Sequence, residues 1–453
     1  MKLPNYFLAD MGSGQRLEPK TLREACLTLK RNRRQYLQER TTPTLIRTLA
    51  NVAENWTLEH YPIRKWTLER GPQETGFPLT TLTKGIDQFM AQMNETSLQA
   101  LIQQDLGHLK RLDQPCSNEA DPSGQRLSMA FGSELIFHIS GGALPNAIFT
   151  HMILGILTKS AQLIKCPSGG SFLARMLAHS LYDADPKLGT CLEVAEWEGG
   201  DHELETIAMD EAETITATGS DATLASVHQR VTPSKRFLAY GHKVSAALIT
   251  KGALQGLSTR KLLHKVVDDI VAWNQRGCLS PHVIYVEDNP DLPPIHFAER
   301  LADYLQDREL EEPRGSILPG EAARIRSRRS FYTIRAAHAP GTAFWESKGN
   351  TNWTVVFEED PIFQTSCLNR FIYVKRIERV KEVIDGLESM HGKVSTLALA
   401  AAPSEADEIV EVMGRWGVSR ICPIGSMQQP PLGWRHDGRP ALADLVRWVD
   451  WEV

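Results

Sequence analysis

Residues 134–142 read Glu134-Leu-Ile-Phe-His-Ile-Ser-Gly-Gly142, and an apolar run from Pro145 to Leu157 follows them. A short apolar segment without alternation, closed by a glycine pair, is the pattern of a strand buried on both faces. The pattern recurs down the chain. Ala161-Gln-Leu-Ile-Lys165 is a second such strand, and Pro167-Ser168-Gly169-Gly170 turns it into a helix, Phe172 to Asp183. Leu192-Glu-Val-Ala-Glu-Trp197 and Thr214-Ile-Thr-Ala-Thr218 read as the third and fourth strands, with a short helix at Glu203–Ala208 between them. Phe237-Leu-Ala-Tyr240 and Ser245-Ala-Ala-Leu-Ile249 complete the set. Strands alternating with helices at these intervals form βαβ units on a mostly parallel sheet, so the fold class is α/β.

Before this stretch, residues 17–60 and 84–113 carry helical periodicity, and 114–126 is a loop. After it, a second α/β segment begins near 253. A helix from Thr259 to Trp273 leads through a turn, Asn274–Gly277, to Cys278; His282-Val-Ile-Tyr-Val-Glu287 is a strand. Phe331-Tyr-Thr-Ile-Arg335, Trp353-Thr-Val-Val-Phe-Glu358 and Phe371-Ile-Tyr-Val-Lys375 read as further strands, and Glu405–Trp416 as a helix. Four regions are expected: a helical one over 1–125, a parallel-sheet domain over 126–250, a second α/β domain over 251–430, and a tail over 431–453. Trp448, Trp451, Leu445 and Val449 give the tail an apolar face, read as a docking or oligomerisation helix.

The chain of 453 residues is 42% hydrophobic and 23% charged with a formal net charge of -5, a balance that does not suggest a nucleic-acid-binding face. Seven cysteines form no CxxC pair, which argues against a zinc cluster or a dithiol redox motif and suits a reducing cytoplasm. No signal peptide and no membrane-length apolar run is visible.

Cys278 is the sharpest chemical candidate. It stands at a helix-to-strand junction beside Gly277, with Arg276 and His282 close enough in sequence to favour a thiolate. A lone cysteine is more often a buried structural residue, and the flanking sequence is what lifts this one out of that class. Gly219-Ser220 follows a strand and opens a helix, where free N–H groups suit a phosphate. Lys165 closes a strand and can meet a ligand at the sheet edge. His138, inside an apolar strand, reads as a satisfied core histidine, and no GxGxxG is present.

Taken together, Trp273-Asn274-Gln-Arg-Gly-Cys278-Leu-Ser-Pro-His282, Tyr240-Gly-His-Lys243, Leu368-Asn-Arg-Phe-Ile-Tyr-Val-Lys375 and the tail motif Trp434-Arg-His-Asp-Gly438 resemble the acyl-CoA reductase family of bacterial luminescence systems, a branch of the aldehyde dehydrogenase superfamily. The resemblance implies a Rossmann-like cofactor domain, an α/β catalytic domain and a cleft between them. It implies NADPH-dependent reduction of a fatty acyl thioester, from acyl-CoA or an acyl carrier, through a thioacyl enzyme. Homo-oligomers and a partner acyl-transferring subunit also follow from it. Cys278 matches the acylated nucleophile, with Asn274 and His282 in the catalytic set. Lys165 matches the adenosine-ribose lysine, Gly219 and Ser220 the pyrophosphate loop, and Glu358 or its neighbour Glu359 the nicotinamide-ribose glutamate. Ser168 stands where NAD-preferring relatives often carry a ribose-chelating glutamate, and a neutral residue there favours NADPH. Ala239 replaces the glutamate that activates water in aldehyde dehydrogenases, and Ala143 replaces the oxyanion-hole asparagine, with Asn146 nearby. Two other readings use the same residues: a cysteine acyltransferase or thioesterase without redox chemistry, and an inactive scaffold, for which Ala143 is the best support.

Overall fold

A computed structural model describes residues 3–11, 16–117, 125–142, 144–254 and 258–452. The chain divides into two compact units. One contains 1–75, 86–241 and 431–453; the other contains 76–85 and 242–430.

The first unit is built on a five-stranded, all-parallel sheet. Its spatial order is Leu192–Glu196, Ala161–Cys166, Leu135–Ile139, Thr214–Thr218, Arg236–Tyr240. The strand Leu135–Ile139 lies at the centre, buried at every position, as its unbroken apolar run requires. The chain winds outward from it in both directions, the order of a Rossmann-type sheet, so the turns after Ile139 and Thr218 flank the switch point where ligands bind such sheets. Helices pack against it, including Pro19–Asn32, whose Leu22, Cys26 and Leu29 join the sheet's core. His138 sits inside that core with both ring nitrogens engaged, Nδ1 with Thr216 Oγ1 at 2.7 Å and Nε2 with Gln162 Oε1 at 3.1 Å. It is the satisfied core histidine its context predicts.

A three-stranded antiparallel sheet, in the order Cys116–Ser117, Arg126–Gly132, Val446–Glu452, completes this unit. The tail is thus a strand, not the helix expected. Its seven residues pair one for one with Gly132 back to Arg126, and that long-range ladder decides its conformation.

The second unit holds a seven-stranded sheet in the order Thr342–Glu346, Thr354–Glu358, Phe371–Ile377, Pro281–Glu287, Val244–Ile249, Val394–Ala400, Arg420–Pro423. Only the first pair is antiparallel. Three features of the structure differ from the sequence expectation. The strand Val244–Ile249 belongs to this sheet and not to that of Arg236–Tyr240, so the boundary expected at 250 falls at 241. The helical region 1–125 is no separate body: most of it packs in the first unit, and Gly76–Gly85 belongs to the second. Phe331–Arg335 is not a strand but part of the helix Pro319–His338, which buries Ile325, Arg329 and Tyr332 at i, i+4 and i+7.

Candidate active site

Cys278 follows the helix Ser258–Val271 through a turn of unusual backbone. Trp273, Asn274 and Gln275 have φ of 51°, 52° and 61°, three successive left-handed residues without a glycine among them. Each such residue costs on the order of 1–2 kcal/mol, so the surroundings must hold the turn in place. They do so by hydrogen bonds. Asn274 Nδ2 donates to Arg314 O at 2.9 Å, and Asn274 Oδ1 accepts from Arg370 Nε at 3.1 Å. Gln275 Nε2 donates to Pro281 O at 2.7 Å and to Phe371 O at 2.8 Å. Arg370 itself ends a second left-handed triplet, Leu368, Asn369 and Arg370, with φ of 59°, 54° and 66°. Its Nη1 reaches Glu309 Oε2 and Glu312 O, both at 2.8 Å, and the side chain is fully buried. The two turns are therefore bolted to each other.

Trp273 packs from the other side against Phe77, ring centroids 5.3 Å apart, and against Gly85, where a Cβ would stand 2.1 Å from the indole. At the far end of the turn, Ser245 Oγ donates to Cys278 O at 2.7 Å. Gln428 Nε2 donates to Ser280 Oγ at 2.6 Å. Every residue from Trp273 to Ser280 is buried or half-buried except Cys278, which is exposed. A pinned backbone that presents one thiol outward is what a nucleophile requires.

The two residues grouped with Cys278 are both buried and hydrogen-bonded. Asn274 spends its Oδ1 and one of its two Nδ2 hydrogens in the clamp, and so shapes the turn that presents Cys278. His282 is buried, and its Nδ1 accepts from Ser366 N at 3.1 Å. Burial, aided by His242, pushes its pKa down to about 4, so the ring is neutral at pH 7 and cannot supply the positive charge that would favour a thiolate. As the folded pKa is depressed, this ring's contribution to stability is whole above about 6.5 and is lost as pH falls towards 4. A His282→Asn variant is expected to leave the pH profile of Cys278 acylation between 6 and 9 unchanged, as followed by thiol labelling. Loss of an inflection in that range would contradict the assignment. Arg276 lies 3.9 Å from Glu321 and over the Phe77 ring, so its charge is partly spent.

In the first unit the expected ligand-binding residues gather at the carboxyl edge of the parallel sheet. Lys165 is the penultimate residue of its strand, in register with Ile139 and Ala195, and is 5% exposed. Its ammonium stands 6.0 Å from the Trp197 ring, and burial lowers its pKa against the pull of Glu205. The loop after it is braced by Glu196, which accepts from Gly169 N at 3.0 Å and Ser171 N at 2.9 Å. A cavity of about 320 Å³ opens there, lined by Ser140, Pro145, Cys166, Pro167, Gly170 and Phe172 among others. Ser220 caps the helix Asp221–His228, its Oγ accepting from Thr223 N at 3.2 Å. Gly141 lies so close to the Thr218 carbonyl that a Cβ would approach it to 2.2 Å, which brings the first and fourth βα turns together at the switch point.

A family model described as acyl-CoA reductase (LuxC) matches residues 37–448. The chain belongs to the acyl-CoA reductase family. It is 22% identical over 423 residues to the long-chain acyl-protein thioester reductase of Vibrio harveyi, covering 92% of this chain and 84% of that one. The enzyme of the same name from Photobacterium phosphoreum is also 22% identical, over 419 residues, covering 90% and 80%. Among solved structures, a putative aldehyde dehydrogenase PutA from Anabaena variabilis superposes with a TM-score of 0.70 at 18% identity, over 96% of this chain and 93% of that one. A glyceraldehyde-3-phosphate dehydrogenase GapN from Methanocaldococcus jannaschii, complexed with NADP, gives 0.70 at 11% identity over 98% and 96%. These likenesses establish the aldehyde dehydrogenase fold, with its Rossmann-like and catalytic parts, for this family member.

Within that family frame one expected residue is displaced. Glu358 is level with Lys375 and Tyr285 in the sheet register, four residues or about 13 Å along the strands from Pro281. It is 1% exposed, with Lys375 Nζ at 2.5 Å and Arg335 Nη2 at 3.1 Å. A carboxylate held this way is a buried ion-pair partner and not a ribose ligand. Ala143 lies outside the described residues. Asn146, in the first turn of Pro145–Leu157, has a buried Oδ1 without a hydrogen-bond partner among the described residues. Ala239 lies in the strand Arg236–Tyr240 opposite Ala217, and no carboxylate occupies its position. The residues that sequence reasoning missed are Ser245, Glu309, Arg314, Ser366, Arg370 and Gln428. Arg370 alone carried a signal, as part of the Leu368-Asn-Arg-Phe motif; the others act through contacts distant in sequence.

Proposed function

We propose that this acyl-CoA reductase converts a long-chain fatty acyl thioester to the aldehyde with NADPH, through an acyl group carried on Cys278. The observation that carries the reading is the exposed Cys278 thiol on a turn whose every neighbour is packed. The Cys278 thiolate attacks the thioester carbonyl; the new C–S bond forms as the donor's C–S bond breaks, and the donor leaves as a thiolate that takes a proton from water. NADPH, when bound, supplies the hydride. The resulting Cys278 thiohemiacetal oxyanion is met by the Cys278 backbone N–H, then expels the thiolate and leaves the aldehyde. Splitting the reduction this way replaces one hard step by two easier ones. Ala239 matters between them: with no carboxylate there to activate water, the thioacyl group survives until it is reduced.

The cofactor residues fit a phosphorylated dinucleotide. Lys165 offers an ammonium at the sheet edge, the Ser220 helix offers first-turn N–H groups, and Ser168 places no negative charge against a 2′-phosphate. Ser168→Glu is therefore expected to raise KM for NADPH about tenfold, one charge repulsion of roughly 1.4 kcal/mol, while KM for NADH changes little. Equal change for both cofactors would remove Ser168 from this role. The exposed Trp448 and Trp451 on the edge strand Val446–Glu452 support a homo-oligomer. Among the described residues no helix is long and apolar enough to cross a membrane. We place the enzyme in the cytoplasm, supplied by acyl-CoA or by a partner acyl-transferring protein. Steady-state NADPH oxidation with an acyl-CoA series tests the reading. Acylation of Cys278 without NADPH oxidation would make the chain an acyltransferase instead.

A further inference from the structure

We propose that the helix Pro319–His338 is the docking surface for an acidic protein that delivers the acyl thioester to Cys278. The inference rests on the acyl-transfer reading above and names the partner face that reading leaves open. The helix, Pro-Gly-Glu-Ala-Ala-Arg-Ile-Arg-Ser-Arg-Arg-Ser-Phe-Tyr-Thr-Ile-Arg-Ala-Ala-His, carries five arginines against one acid, Glu321. Two of the five are committed elsewhere. Arg329 is buried and donates to Trp353 O at 2.6 Å and Thr354 Oγ1 at 2.9 Å; Arg335 pairs with Glu358 at 3.1 Å. Arg324, Arg326 and Arg328 are exposed, and among the described residues none of them has an acidic side chain in ion-pair range. Arg324, Arg328, Phe331 and Ile334 follow one another at spacings of four, three and three residues, a single outward stripe about 15 Å long. Phe331 is 50% and Ile334 66% exposed.

The stripe starts at the nucleophile's own support. Glu321, in the helix's first turn, lies 3.9 Å from Arg276 and 3.3 Å from Asn369 Nδ2, and Cys367 Sγ donates to Arg324 O at 4.0 Å. A partner seated on the stripe therefore touches the element that holds the Cys278 turn. The composition selects a protein as occupant. A phosphate site converges its donors on one point. Here the guanidiniums fan over two turns and are continued by two apolar side chains, the mixture of arginine and aromatic anchors that protein interfaces use. Charge complementarity then calls for an acidic face on the partner.

The test uses the full chain and its Arg324→Glu/Arg328→Glu variant, with Cys278 acylation read by intact mass. The two donors are myristoyl-CoA and an acidic acyl carrier protein bearing a myristoyl group on its phosphopantetheine. The expected result is a loss of tenfold or more with the carrier protein, a change within twofold with myristoyl-CoA, and a wild-type carrier reaction that slows as salt is raised. An equal loss with both donors would assign the arginines to the CoA phosphates and overturn the proposal. So would no loss with either, or a wild-type protein acylated by myristoyl-CoA but not by the carrier protein. Failure of both donors on the wild type would instead overturn the acyl-transfer reading beneath it. A melting temperature equal to wild type confirms that the variant is folded.

Discussion

Replacing Cys278 with alanine is expected to lower acyl reduction by more than about 10⁴-fold and to leave the fold intact. The first half follows from chemistry. Cys278 is the one exposed side chain from Trp273 to Ser280 and the proposed acyl carrier, and removing the nucleophile from a covalent mechanism removes the pathway rather than slowing one step. The second half follows from burial. The Cys278 side chain is exposed, while its carbonyl is fixed by Ser245 and its neighbours by Gln275 and Gln428, none of which uses the sulfur. Stability should stay within about 0.5 kcal/mol of wild type, as for surface substitutions elsewhere. Thermal melting together with NADPH oxidation on a long-chain acyl-CoA checks both. Residual turnover above a hundredth of wild type would place the chemistry on another residue.

The second large effect is expected far from any substrate. Arg370→Met removes the guanidinium that joins Asn274, Glu309 and the Glu312 carbonyl. Glu309 is then left with Arg314 N and Asn352 Nδ2, and two adjacent left-handed triplets lose the pin between them. Removing one partner of a buried ion pair costs about 3–5 kcal/mol. For a unit of this size that lowers the melting temperature by roughly 10 °C. A turn displaced by even 1 Å would also slow acylation about 10²-fold. Arg370→Lys keeps the charge without the fork and should fall between, because one ammonium cannot meet three acceptors in this geometry. A melting temperature within a degree of wild type for Arg370→Met would show that the turn holds itself.

These two predictions mark what a sequence reader can and cannot see. Cys278 was legible because its flanks form a specific motif and because a glycine and a proline frame it within five residues. The parallel sheet was legible for a related reason: strands such as Leu135–Ile139 are buried at every position and so are apolar without interruption. Arg370 was visible as a motif letter and invisible as a part, since its partners lie about 60 and 96 residues away in the chain. The same blindness explains the errors. Phe331-Tyr-Thr-Ile has strand-forming residues, but the helix there buries Arg329 where an apolar residue would have shown the 3.6-residue period. The tail's strand exposes Arg447 to Glu452 almost throughout, so no alternation betrays it; its partner strand decides. Glu358 matched a family glutamate by position, and only the register showed Lys375 beside it.

The proposed mechanism turns on one covalent species, the acyl group on Cys278. Incubated with a long-chain acyl-CoA and no reductant, the protein should gain the mass of one acyl group on the peptide containing Cys278. Addition of NADPH should discharge that adduct and release an equal amount of aldehyde. An adduct on a different residue, or aldehyde formed while Cys278 never becomes acylated, would contradict it.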